Sequence, residues 1–223
     1  MRKEPLRDHY LLLAPFYEFI SKKVIGSDFQ QSKRTFLDQI QKGDTVLVLG
    51  GGTGTILPLI MEQIGESGRV IYLEASGTMI QRSRQQVDLP FSRQVQWIHS
   101  SRFEDLPLIK PDVIISHYFL DVLPDESIDR LFQEIEGRIH SQTDWIFADF
   151  FPTANRKGLL WGMITLFRLF TRHPRKDLPD YLSFFRKWGW EKVDFVPFQQ
   201  GFFQAIRYRP APRSINSPIT SLK

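Results

Sequence analysis

Thr45-Val46-Leu47-Val48-Leu49-Gly50-Gly51-Gly52-Thr53-Gly54 is the stretch that decides the fold of this chain. Its first half is short, continuous and apolar, with the turn Gly43-Asp44 in front of it, which is the pattern of a strand buried on both faces. Its second half is a glycine turn, and Ile56 to Ile64 then resumes with helical spacing. Between a strand and a helix, glycines permit a tight turn and a close approach of backbone to a nucleotide-like ligand. Glu74 stands 20 residues beyond Gly54, at the end of the next apolar run, Val70-Ile71-Tyr72-Leu73. A carboxylate there accepts both hydroxyls of a ribose in charge-assisted hydrogen bonds. Alone, the turn also reads as an ordinary connection and Glu74 as a solvated charge. Their spacing favours a ligand site.

The chain repeats this alternation on either side. Residues 8–42 read as one or two helices, the second starting near Ser27-Asp28. A helix over about 78–86 follows Glu74, and Val95-Gln96-Trp97-Ile98 is a third strand. Asp112-Val113-Ile114-Ile115-Ser116 is a fourth strand, introduced by Pro111. Helix 125–139 then carries Leu131, Phe132, Ile135 and Ile139 on one face, and Trp145-Ile146-Phe147-Ala148 is a fifth strand. Strands alternating with helices predict an α/β fold, doubly wound about a mostly parallel sheet. The end differs, because Val193–Phe195 and Phe202–Tyr208 flank Gln199-Gln200-Gly201 as an antiparallel C-terminal hairpin. Residues 1–209 therefore read as a single domain, with 1–43 a helical cap, 151–190 a helical insert and 210–223 a flexible tail.

Composition narrows the function. The 223 residues are 42% hydrophobic and 24% charged, enough to bury a core and too apolar for a disordered chain. The net charge of +4 and pI of 9.3 fall short of a dedicated nucleic-acid binder, so no nucleic-acid partner is expected. With no Cys, disulfides, thiolate metal sites and cysteine nucleophiles are excluded. His9, His99, His140 and His173 show no metal-ligand spacing, so no metal is expected. The N-terminal apolar stretch is broken by Pro15, Tyr17 and Glu18, and no run approaches the roughly 18 residues of a spanning helix. The expectation is a soluble, cytoplasmic protein.

The glycines separate two cofactor classes. A dinucleotide fingerprint needs a glycine at position 55, where Thr55 stands; here they run 50, 52 and 54. In this the chain resembles the class I S-adenosylmethionine-dependent methyltransferases. Val46 to Gly54 is similar to their first motif, and Val70 to Ile80, with Glu74 and Met79, to their ribose-binding segment. Phe103-Glu104-Asp105-Leu106-Pro107, followed by Pro111 to Ser116, is similar to their adenine loop and fourth strand. Ala14-Pro15-Phe16-Tyr17-Glu18 resembles the element preceding the first domain helix in the small-molecule, quinone-methyltransferase-like branch.

That resemblance implies a Rossmann-like, seven-stranded sheet closed by the antiparallel hairpin, and S-adenosyl-L-methionine as cofactor. It implies cofactor contacts from Tyr17, Gly50, Gly51, Gly52, Thr53, Gly54, Glu74, Ala75, Met79, Arg102, Phe103, Ser116 and His117. The chain departs from the family at Val48, where an acid often helps to hold the methionine ammonium, and at Arg102, where an Asp often contacts the adenine amine. The ammonium then falls to backbone carbonyls or another acid, and the adenine to stacking and backbone at Phe103. Aminopropyltransferases, which share the triple glycine, carry acids where Thr53 and the Ser116-His117-Tyr118 segment stand here.

On the acceptor side, His117 is a candidate base near neutrality, with Asp121 or Asp149 to orient it, all at the carboxyl ends of strands. The plainer readings are a turn cap for Asp121, a local backbone acceptor for Asp149, and a cofactor or core contact for His117. From Arg156 to Lys176 there are six cations (Arg156, Lys157, Arg168, Arg172, Arg175, Lys176) and no acid, around the apolar run Leu159 to Phe170. That run reads as a helix whose face of Leu160, Met163, Ile164 and Phe167 walls an acceptor pocket, packs in the core, or makes peripheral membrane contact through 156–176. The activity expected is methyl transfer to a small, apolar acceptor. The alternatives are a nucleotide-fold binding protein without catalysis and a nicotinamide-dependent reductase.

Overall fold

The computed structural model describes residues 26–88, 91–171 and 176–212. Tyr17, the first part of the expected cap, Arg172, Arg175 and the tail from 213 lie outside these residues, as do the side chains of 166–171.

Seven strands form one sheet: β1 (Thr45–Leu49), β2 (Arg69–Glu74), β3 (Val95–His99), β4 (Val113–His117), β5 (Asp144–Phe150), β6 (Trp190–Phe198) and β7 (Phe203–Pro210). Their order is β3-β2-β1-β4-β5-β7-β6, with β1 to β5 parallel and β7 antiparallel to both neighbours. The chain winds outward from β1 to β3, then crosses to β4 on the other side of β1. The switch point between β1 and β4 is where such sheets open a crevice for ligands.

Among the described residues six α-helices connect or flank the strands: α1 (Ser27–Arg34), α2 (Leu57–Ile64), α3 (Gly77–Arg84), α4 (Asp125–Glu136), α5 (Lys157–Thr171) and α6 (Tyr181–Lys187). Helix α4 stops at Gly137, short of the expected 139. Helix α6 lies within the insert and was not anticipated as a separate element; the Asp180 side chain caps it by accepting from Ser183 N at 3.2 Å.

Alternation along the central strands divides the core between the sheet's two faces. Leu47, Leu49, Ile114, Trp145 and Phe147 pack with Ile128, Leu131, Phe132 and Ile135 of α4 and with Tyr181 and Phe185 of α6. Here Phe185 lies parallel to Tyr208 at 3.8 Å between centroids, and Phe132 stacks on Trp145 at 4.9 Å. On the other face Val46, Val48, Ile115 and Ile146 pack with Leu57, Ile60, Met61 and Ile64 of α2. A third cluster sits toward the carboxyl end of β5, built from Phe29, Tyr118, Ala148, Phe150, Phe198, Phe202 and Phe203. Leu159, Leu160 and Met163 of α5 pack against it. At the margin of the sheet, β6 is exposed from Glu191 to Phe195 and its register with β7 is broken by a bulge between Lys192 and Asp194.

Candidate active site

The glycine turn is held in shape from several sides. Gly50 N donates to Leu73 O at 2.9 Å, and Tyr72 Oη donates to Gly52 O at 2.9 Å. Glu74 spans the loop and the start of α3, accepting from Gly52 N at 2.9 Å on one oxygen and from Ser76 N at 2.8 Å on the other. Contact requires glycine at 50, 51 and 54: a Cβ would enter the Phe119 ring at the first and the Tyr72 ring at the second, and at Gly54, whose φ is +74°, would lie 2.6 Å from Ser83 Cβ. Thr53 is half-buried in the loop. Ala75 O accepts from His99 Nε2 at 3.0 Å, and Met79, in the first turn of α3, donates its N–H to Ser76 Oγ at 3.2 Å. Glu74 thus retains lone pairs for a ribose while both its oxygens order the backbone around it.

A cleft opens under this loop at the β1/β4 switch point, lined among others by Gly50, Gly51, Thr55, His117 and Lys33 of α1. Although His117 as a whole is half-buried, both its ring nitrogens are shut off from solvent and have no hydrogen-bond partner. Burial, with the Lys33 charge added, pushes its pKa down to about 3. Lys33 lies 4.5 Å over the Phe29 ring and 5.9 Å over the Tyr118 ring, and burial lowers its ammonium pKa to about 8. Sequence reasoning passed over Lys33, because one lysine in an amphipathic helix reads as its solvent side.

Several expected groups are placed elsewhere. Ser116 is fully buried on the opposite face from His117, where its Oγ accepts from Trp145 Nε1 at 2.8 Å, so its side chain is committed to the core. The Phe103 ring is likewise buried, edge-on to Phe119 at 6.4 Å, which leaves backbone rather than a stacking ring for an adenine. Arg102 is exposed and its guanidinium lies near Glu104 and Asp105, at 3.7 and 4.0 Å.

The expected grouping of His117 with Asp121 and Asp149 does not form. His117 pairs in register with Ala148, so Asp149, the next residue, faces the side of Phe147 and Tyr181. Asp149 is fully buried and accepts from Phe150 N at 2.9 Å and from Asp121 N at 3.3 Å. Burial and the neighbouring Asp121 carboxylate raise its pKa well above the ordinary carboxylate range. A buried acid that binds local backbone is the plainer of the two roles considered for it. His117, far below its usual range and without a carboxylate partner, is a weak base at neutral pH.

Helix α5 turns Leu159, Leu160 and Met163 inward, in agreement with the expected Leu160–Met163 face, while Trp161 points out and is 71% exposed. Among the described residues no helix is long and apolar enough to cross a membrane, and no cluster of three or more His, Asp or Glu is placed to hold a metal ion.

The donor set suits S-adenosylmethionine: a glycine backbone for close approach, Glu74 for the ribose, and a small cleft with a cation and an orphaned imidazole beyond them. Residues 46–140 match the family model of the methyltransferase domain. No curated protein sequence matches the chain. Among solved structures, it is similar to a chain of the complex between the Haloferax volcanii Trm112 methyltransferase activator and a methyltransferase, with TM-score 0.68 at 16% identity over 94% of this chain and 99% of that one. It is also similar to DhpI in complex with S-adenosylhomocysteine (TM-score 0.61, 16% identity, 92% and 96% covered). A TehB-like methyltransferase from Corynebacterium glutamicum gives TM-score 0.60 at 15% identity, with 91% and 98% covered. At these identities the structural likeness is one of fold, and it is the glycine turn, Glu74 and the family match that add the chemistry. Residues 46–140 are thus similar to the methyltransferase domain, on a fold that the whole described chain shares with solved S-adenosylmethionine-dependent methyltransferases.

Proposed function

We propose that the methyl acceptor is a small, apolar molecule bound between α5 and the aromatic cluster at the carboxyl end of β5. The observation that carries this reading is the half-buried wall of Leu159, Leu160 and Met163 facing Tyr118, Phe150, Phe202 and Phe203. Such a wall is apolar on every side, and the unbranched Met adapts to an apolar ligand.

The cofactor supplies a methyl group on a sulfonium, whose leaving thioether needs no proton. What the chain contributes is alignment of the two reactants. The group first considered as a base is not tuned to neutrality: burial holds His117 near 3, while Asp149, first considered to orient it, is raised well above the ordinary carboxylate range. This supports an acceptor whose nucleophile is already acidic enough, or basic enough, to react without a strong protein base.

The test is transfer of labelled methyl from S-adenosylmethionine to a panel of phenols, hydroquinones and amines of graded polarity. Apolar members should be methylated, and Met163→Ala should raise their KM while leaving S-adenosylhomocysteine affinity unchanged. Transfer confined to protein or nucleic acid would overturn the proposal. Trp161, exposed beside Lys157, favours a second reading in which α5 touches an anionic membrane; co-sedimentation of wild type with anionic vesicles, abolished in Trp161→Ala, would support it.

A further inference from the structure

The cleft beneath the glycine turn contains a cation that nothing in the described structure neutralises. Lys33 reaches it from α1, and among the described residues no carboxylate pairs with it. Burying a lysine without a counter-ion lowers the ammonium's pKa, as it does here, and is retained only where an anion repays the cost. Opposite lies His117, with two orphaned ring nitrogens; its neutral tautomer carries one N–H donor. The remaining walls are the Gly50-Gly51 turn, Thr55 and the apolar Val48, Leu49, Ile56 and Ile115, none of which carries a negative charge.

The lining decides which part of a ligand enters: a cation and an N–H donor among apolar side chains suit an anionic chain end. Glu74 lies outside this lining, at the end of β2, on the far side of the turn. A ligand whose ribose is at Glu74 and whose chain passes over Gly50-Gly51 therefore brings its opposite end into this cleft.

We propose that Lys33 and His117 form the pocket for the cofactor's methionine carboxylate, Lys33 as its counter-ion and His117 as a hydrogen-bond donor. The assignment rests on the methyltransferase reading of the site and adds to it the residues that select an amino-acid-bearing cofactor. It also assigns the pocket's polarity. With Val48 in place of an acid, this chain anchors the amino-acid end chiefly through its negative group.

The groups that face Lys33 are His117 from β4 and the rings of Tyr118 and Phe29. His117 is neutral in the working range and Tyr118 is pushed well above its usual pKa, so Lys33 is the group that titrates there. A carboxylate binds the protonated ammonium and raises its pKa. Affinity is therefore greatest below about pH 8 and falls as the pH rises through the bound-state value.

Calorimetry with S-adenosylmethionine and its decarboxylated form, which keeps the sulfonium and the amine, isolates the carboxylate. Wild type should prefer the carboxylated form by about 10- to 100-fold, the range for charged hydrogen bonds. Lys33→Met should abolish that preference by weakening S-adenosylmethionine alone, together with its decline above pH 8; Lys33→Arg should keep most of it, and His117→Phe should reduce it partly. An unchanged preference in Lys33→Met overturns the assignment, as does equal weakening of both ligands, which would mark Lys33 as structural. Cofactor binding that survives in Lys33→Met while a carboxylate-bearing acceptor no longer binds would give the anion to the acceptor, and also overturns it. Wild type that binds neither ligand would overturn the methyltransferase reading itself.

Discussion

Replacing Glu74 by Gln exchanges one carboxylate oxygen for an NH2 and tests both tasks that the carboxylate performs. In the wild type each oxygen accepts one backbone N–H, from Gly52 at 2.9 Å and from Ser76 at 2.8 Å. An amide has one acceptor, so one of these N–H groups must face an NH2, and the remaining bond loses its charge. Hydrogen bonds to charged groups contribute about 1.5–3 kcal/mol each, against about 0.5–1.5 for neutral ones. Glu74 is half-buried, so water relieves part of the loss, and the net cost is about 1–2 kcal/mol. For a chain of this length that lowers Tm by about 2–8 °C. Thermal melts without ligand measure this term. Calorimetry with S-adenosylhomocysteine measures the second, which should be a loss of about tenfold or more in affinity. The 2′-deoxy analogue separates ribose contact from a loosened loop: wild type should discriminate against it, and Glu74→Gln should not. An unchanged Tm would show that the carboxylate does not hold the turn. Equal discrimination by both proteins would remove the ribose from Glu74.

Asp149→Asn should leave the fold intact and become relatively more stabilising as pH rises. The folded acid holds its proton above the unfolded value of about 3.9, so its contribution is complete below that pH and is lost on ascent; a Tm difference between variant and wild type that stays constant from about pH 5 to 9 would refute this. Phe185→Ala removes a fully buried ring stacked on Tyr208 and should cost about 3–5 kcal/mol, read from chemical denaturation at constant m-value. Gly54→Ala combines a left-handed φ with a clash against Ser83, and should cost about 2–4 kcal/mol and reduce cofactor affinity. Wild-type stability in that variant would mean the loop relaxes without touching α3.

What could be read from the sequence follows from how strongly each feature is written there. The apolar runs of β1, β4 and β5, the glycines after Leu49 and the acid after Leu73 each have a local signature, and the sheet follows from their order. Which face a residue serves was harder to see. In strands buried on both sides there is no polar alternation to mark the faces, so Ser116, His117 and Asp149 looked like neighbours in one cleft. Parity carried the answer, since Ile115 and His117 share one face and Ile114 and Ser116 the other. Lys33 gave no signal, because its burial depends on Phe29 and on Tyr118, a residue 85 positions away in the chain. Helix α6 has only seven residues, five of which are aromatic or cationic, too short for periodicity to separate it from a loop.

The margin of the sheet at β6 decides how the molecule behaves among copies of itself. A bare, regular outer strand offers a ladder of donors and acceptors to any passing chain. Here the bulge between Lys192 and Asp194 throws that ladder out of step, and Pro197 deletes one donor farther along. Glu191, Lys192 and Asp194 also place charges of both signs along the approach. An eighth strand would have to give up regular pairing and desolvate those charges at the same time. The sheet therefore ends where it does, its outer strand a poor template for a further one.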